Sequence, residues 1–277
     1  MSEKPSSVSL RILLAEDSQA NQEVLTAILR RAGYQVDVAI NGLKAVEAVS
    51  SVSYDLVLMD LAMPEMDGVE ATYHIRNLPG QQGDIPIIAL TANAILTEQQ
   101  RCLQAGMNDY LTKPVSRATL LTVVAHWSGC PVPPSAKKYC HKIEEVVAQK
   151  TDKELLDLVI LERLIEDATL ELLPQMICVF IKEANNRCQQ IAKAVAMGNI
   201  EQLEHESHAL KSSASTFGAK RLYYATREIE LVCKQKQLPL VPELARVIPG
   251  LVRESICALT EYLATTHNIF INIEIPS

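Results

Sequence analysis

Between residues 10 and 127 the chain alternates, five times over, a short apolar run with a segment of helical period. The runs are "RILLAE", "QVDVAI", "YDLVLMD", "IPIIALT" and "NDYLT". Those at 54–60 and 85–91 are nearly continuous, the pattern of strands buried on both faces. Between the first two runs, "SQANQEVLTAILRRAG" places Val24, Leu25, Ile28, Leu29 and Ala32 at helix spacing, with Ser18 as the cap and Gly33 as the stop. Five such β/α units in about 120 residues predict a doubly wound, five-stranded parallel sheet with helices on both faces.

Past Trp127 the pattern changes. "SGCPVPPSAKK" holds three prolines among small polar residues and reads as a linker or a domain edge. From Asp152 to Thr266 only helix-period segments follow, punctuated by Gly198-Asn199 and Gly218, which predicts an antiparallel helical bundle with short turns. Pro249 falls inside the last of them and is expected to kink or shorten that helix. The terminal "NIFINIEIPS" alternates like an edge strand without an evident partner. The expected division is a flexible N-terminus over 1–9, an α/β domain over 10–128, a linker over 129–152, an all-α four-helix bundle over 153–266 and a tail over 267–277.

The chain's 277 residues suit two ordinary domains better than one. No apolar stretch approaches a bilayer span, and the opening "MSEKPSSVSL" lacks the basic-then-apolar pattern of a signal peptide, so a cytoplasmic location is expected. Seven scattered cysteines, none in a CxxC pair, argue against a disulfide framework and against a zinc site. A net charge of −7 with no basic run argues against nucleic acid as a partner.

In doubly wound sheets, ligands bind beyond the carboxyl ends of the strands. Those ends carry Glu16 and Asp17 after the first run, Asp60 after the third, Thr91 after the fourth and Lys113 after the fifth. Three clustered carboxylates repel and raise one another's pKa unless a cation intervenes. Hard oxygen ligands with room for water suit Mg²⁺. A nucleophilic carboxylate, a metal, a hydroxyl and an ammonium together fit phosphoryl transfer onto an aspartate.

These residues stand in "LLAEDS", "VLMDLAMPEMDG", "ALTA" and "YLTKPV", and with them residues 10–128 resemble a receiver domain of two-component signalling, a flavodoxin-like fold. The resemblance implies that Asp60 is the phospho-acceptor. It also implies that Asp17, Asp60 and the Ala62 carbonyl ligate Mg²⁺, with Glu16 acting through water. Thr91 and Lys113 are then the contacts to the phosphoryl oxygens, Lys113-Pro114 is cis, and Tyr110 is an aromatic switch coupled to Thr91. Ala62, two residues after the acceptor, cannot hydrogen-bond an attacking water, whereas Asn93, two after Thr91, has a side chain that can.

A second chemistry sits in "HESHALKSSASTFGA". At about 100° per residue, Leu203, Leu210, Ala214 and Phe217 share one face, the expected bundle interior. His208 points away from it, on a face that collects Glu201, Glu204, His205, Lys211, Ser212 and Ser215. His205 reads as a solvated polar residue. Small Ser212, Ser213 and Ala214 are expected to leave the His208 imidazole uncovered, and an exposed imidazole is a competent nucleophile near neutral pH. Through "LDLVILERL" and "HALKSSASTFGAKRL", residues 153–265 resemble a histidine phosphotransfer (HPt) domain. That resemblance implies His208 as the phosphorylated residue, Lys211 as the phosphate partner and Gly218 as the turn closing the active helix.

Together the two resemblances imply a phosphorelay protein. Its partners are a histidine kinase, in cis or in trans, as phosphodonor, and a downstream or sink receiver. The pairing is also that of the tail of a hybrid sensor histidine kinase. No glycine-rich nucleotide lid is legible here, so self-phosphorylation from ATP is not expected of these residues. A third reading makes the receiver a binding module whose interface near Tyr110 responds to phosphorylation of Asp60.

Overall fold

The computed structural model describes residues 10–92, 96–129, 154–168, 171–236 and 238–271. They divide into two compact units, one built on a sheet and one mainly helical.

In the first unit, strands β1 (Arg11–Ala15), β2 (Gln35–Ala39), β3 (Leu56–Asp60), β4 (Ile87–Thr91) and β5 (Asp109–Thr112) alternate with helices α1 (Gln19–Arg31), α2 (Gly42–Ser51), α3 (Gly68–Arg76), α4 (Leu96–Gln104) and α5 (Arg117–Trp127). A short 3₁₀ turn, Gly80–Asp84, precedes β4. The strand order is β2-β1-β3-β4-β5, with β1 parallel to β2 and β3, and β3 parallel to β4. Every residue of β3 and β4 is buried, as their unbroken apolar runs require of interior strands covered on both faces. The α1 stripe is buried from Val24 to Leu29, the Ser18 hydroxyl accepts from the Asn21 amide at 3.2 Å to cap the helix, and Gly33 ends it at φ 93°.

Arg76, at the end of α3, fixes the far edge of the sheet. Its guanidinium donates to the carbonyls of Gly83, Ile85 and Gly106 and to Asn108 Oδ1, all at 2.8–2.9 Å, while Asn108 Oδ1 also accepts from the Ile87 amide at 2.9 Å. One planar fork thus ties α3 to the chain entering β4 and β5.

The helical unit comprises α6 (Leu158–Asp167), α7 (Leu173–Met197), α8 (Ile200–Thr216), α9 (Lys220–Lys234) and α10 (Val241–His267). Helices α7, α8, α9 and α10 each pack against the next and α10 returns to α7, which closes a four-helix ring; α6 lies against α8. The connections have the expected chemistry. Gly198 turns left-handed at φ 64° to end α7, and the Asn199 side chain accepts from the Gln202 amide at 3.1 Å to start α8. Gly218 also sits at positive φ, and a Cβ there would fall 2.8 Å from the Asp157 carbonyl, so both conformation and space exclude a side chain. The rings of Phe180 and Phe217, both fully buried, stack at 4.6 Å with 11° between planes at the centre of this core.

Two expectations are corrected. Pro249 does not shorten the last helix, which runs unbroken from Val241 to His267. The proline lies on the exposed side of α10, where a carbonyl that loses its amide partner can turn to water. The expected C-terminal strand is absent over residues 268–271, which are irregular after a left-handed Asn268; the remainder of that stretch lies outside the described residues. So do the linker from Cys130 to Lys153 and Asn93.

Candidate functional sites

The strand register assembles the first site. Ala15 pairs with Met59 and Asp60 pairs with Leu90, so Glu16 stands level with Asp60, and Thr91 one step beyond, on the same edge of the sheet. Lys113 follows β5 directly, before a cis bond to Pro114. Carboxylate oxygens of Glu16, Asp17 and Asp60 lie within 4.8 Å of one another. Glu16 and Asp60 are buried, and like charges so close need a cation or a proton between them. This donor set, all oxygen and all anionic, can hold a hard divalent ion.

The loop leaving β3 is held close against that edge. The Ala62 amide faces Asp60 Oδ1 at 3.4 Å, and the Gly68 amide donates to the Leu61 carbonyl at 3.1 Å. A Cβ on Gly68 would fall 2.0 Å from the Asp60 carbonyl oxygen, and one on Gly42 would fall 2.4 Å from that of Met66. Glycine at both places lets the loop and the start of α3 approach Asp60 this closely. Thr91 is buried at the end of β4. Tyr110 is half-buried in β5 and packs on the core cluster that includes Met63, Cys102 and Met107.

The second site is on α8. Leu203, Leu210, Ala214 and Phe217 are fully buried, so the expected interior face is correct. His208 is partly covered, because its Nδ1 faces Glu230 Oε1 of α9 at 3.3 Å. Lys211 is not an unengaged phosphate partner. Its ammonium is hydrogen-bonded to Glu230 Oε2 and lies 3.5 Å from His208 Nδ1. Ser213 is interior, with its hydroxyl bonded back to the carbonyls of Ala209 and Leu210 at 3.3 and 3.2 Å. His205 has Glu206 Oε1 at 3.9 Å, and Glu206 accepts from Arg187 of α7 at 2.9 Å.

Burial pushes the Glu230 carboxyl up, but the hydrogen bond and charge of His208 and the Lys211 ammonium outweigh it and hold the group well below the ordinary glutamate range. Glu230 is the residue beside His208 that helix spacing around the histidine does not reveal. For Glu230 a signal exists on its own helix: it interrupts the buried stripe Leu222, Thr226, Ile229, Cys233 with an acid.

The first unit is thus a doubly wound sheet with an acidic edge, and the second a four-helix unit in which a partly covered imidazole stands beside a lysine and a glutamate. Residues 12–125 match the response regulator receiver domain and residues 175–266 match the Hpt domain, so the chain carries a receiver domain followed by an Hpt domain. It is 45% identical over 121 residues to "Hybrid signal transduction histidine kinase B" of Dictyostelium discoideum, covering 40% of this chain and 6% of that one. It is 28% identical over 246 residues to the signal transduction histidine-protein kinase BarA of Escherichia coli, covering 88% of this chain and 26% of that one. The chain thus spans well under a third of either relative's length. Among solved structures it is similar to the receiver domain of sensor histidine kinase PA1611 from Pseudomonas aeruginosa, a magnesium-bound crystal structure, at 45% identity and a TM-score of 0.42, covering 44% of this chain and 99% of that one. Among the described residues no helix is long and apolar enough to cross a membrane.

Proposed function

We propose that Asp60 accepts a phosphoryl group from a phosphohistidine and that His208 carries phosphoryl groups to or from a receiver aspartate. The observation that carries this reading is the convergence of Glu16, Asp17 and Asp60 within 4.8 Å at the edge where β3 and β4 deliver Asp60 and Thr91. Glu16, Asp17, Asp60 and the Ala62 carbonyl would hold Mg²⁺, which when bound supplies positive charge against the phosphoryl oxygens. Asp60 is the nucleophile, and its carboxylate is fixed by the last residue of a buried strand. Thr91 and Lys113 supply a hydroxyl and an ammonium to the phosphoryl oxygens, and Tyr110 responds to the movement of Thr91.

At the helical site, His208 is the acceptor and Lys211 the cation that exchanges part of its bond to Glu230 for the incoming phosphate. The phosphodonor is a histidine kinase, in cis or in trans, and the onward partner is a downstream or sink receiver. The alignment with more than a quarter of BarA favours a place behind a kinase core in a hybrid sensor kinase. Acetyl phosphate with Mg²⁺ tests the first half: label is expected on Asp60, and an intact protein that takes none would refute it. A histidine-kinase donor then tests the second half, where H208Q should abolish an acid-labile, base-stable phosphate and leave the Asp60 label in place.

A further inference from the structure

Helix α9 carries a second stripe, apart from the one it buries. Arg221, Tyr224, Ala225 and Glu228 recur at i, i+3, i+4 and i+7, and with Leu244 and Val247 of α10 they line a groove of about 330 Å³ that opens to solvent. Val247 is 49% exposed, and Leu231, the next residue of the stripe, is 41% exposed, so the two helices leave apolar as well as charged surface in water here.

We infer that this stripe is a self-association surface, and that its occupant is the same stripe of a second copy of the chain, packed antiparallel about a two-fold axis passing between Tyr224 and Ala225. In such an isologous contact residue i meets residue j and j meets i. With the axis there, Arg221 of each copy meets Glu228 of the other, and Tyr224 of each meets Ala225 of the other. The two ends of the stripe are opposite in sign and two turns, about 10 Å, apart, so two attractions form together, and a ring takes the room left by a methyl group. A parallel pairing would set Arg221 on Arg221 and Glu228 on Glu228, which is repulsive.

The neighbouring charges leave this pattern standing. Lys220 is neutralised within its own chain by Glu154 at 3.0 Å, so Arg221 sets the sign at its end. Arg221 Nη1 lies 3.1 Å from Glu254 of α10, in a pair exposed on both sides, and a guanidinium with five donors serves a second carboxylate without releasing the first. Glu230, which faces His208, stands about 190° round α9 from the middle of the stripe, so the contact keeps clear of the histidine in both copies.

The test is the oligomeric state of the full chain. Sedimentation equilibrium is expected to show a reversible monomer–dimer equilibrium that weakens as salt is added. R221E sets like charges against each other at both ends, and so does E228R; each single variant should dimerise about 10-fold more weakly than wild type. Mixing the two variants should restore association, because each end then pairs opposite charges again, and the double variant R221E/E228R should dimerise with itself. Circular dichroism with unchanged helicity verifies that the variants are folded; should R221E lose its fold, E228R and the wild type decide. A wild type that stays monomeric, as it would if the groove served a small ligand or another protein, overturns the inference. So does a dimer that the single reversals leave intact, or one that mixing fails to restore.

Discussion

Replacing Gly68 with alanine tests whether the start of α3 must lie as close to Asp60 as it does. The added carbon would fall 2.0 Å from the Asp60 carbonyl oxygen and 3.0 Å from Met59 Cγ, where ordinary contact begins near 3.4 Å. One of the two backbones must retreat by about 1.4 Å, because the obstructing atom is a carbonyl of a buried strand with no rotamer to change. Overpacking of this kind costs about 1–3 kcal/mol. The functional loss should be larger in proportion, since a misplacement of about 1 Å at a reacting centre can cost on the order of 100-fold in rate. G68A should therefore accept phosphate from acetyl phosphate about 100 times more slowly than wild type, with the urea transition of the sheet unit lowered by about 1–3 kcal/mol. G250A is the control, because Gly250 lies in α10 with nothing within 4 Å of its added carbon. It should stabilise the helical unit by about 0.5–1 kcal/mol and leave Asp60 labelling unchanged. A G68A protein with wild-type stability and a wild-type labelling rate would refute the close-approach argument.

Other perturbations address the remaining features. F217A removes one partner of the buried Phe180–Phe217 stack and should destabilise the helical unit by about 3–5 kcal/mol, seen as an earlier transition for that unit alone in calorimetry. Glu230 has a folded pKa below its ordinary value of 4.5, so the stability it contributes is complete above pH 4.5 and is lost as pH falls below it, by up to about 1.4 kcal/mol per pH unit. Urea melts between pH 5 and 3 should show that slope, and E230Q should flatten it. Adding Mg²⁺ at about 100 times its dissociation constant should raise the stability of the sheet unit by about 2.7 kcal/mol, and D17N should weaken the effect; a thermal transition indifferent to Mg²⁺ would contradict the acidic cluster's assignment.

What the sequence makes legible follows the range of the interactions involved. The strands of the first unit are local statements: "LVLM" and "IIAL" can only be buried, and the residue ending each run marks the sheet edge. Register then comes with topology, so Glu16, Asp60 and Thr91 could be placed together from strand ends alone. Gly33, Gly198 and Gly218 announce helix ends because few other residues tolerate their backbone angles. The surroundings of His208 were less legible. Helix spacing places Lys211 one turn from the histidine, and it does not reveal that Glu230, 19 residues further on and on another helix, neutralises it. Pro249 misled for a related reason: its cost depends on whether the freed carbonyl reaches water, and that is a property of the packed bundle. Arg76 has the spacing of an ordinary surface cation, yet its fork serves four acceptors in two other segments, an arrangement only the folded chain creates.

The central claim is that one chain carries a phosphoryl group in two chemically distinct places. Mass-spectrometric mapping of phosphate on wild type, D60N and H208Q, after exposure to a phosphorylated histidine-kinase donor and to a phosphorylated receiver, tests it most directly. The account predicts a base-labile phosphate at Asp60 that D60N lacks, and an acid-labile, base-stable phosphate at His208 that H208Q lacks. Phosphate at any other residue in the wild type, or either label persisting in its own variant, would contradict it.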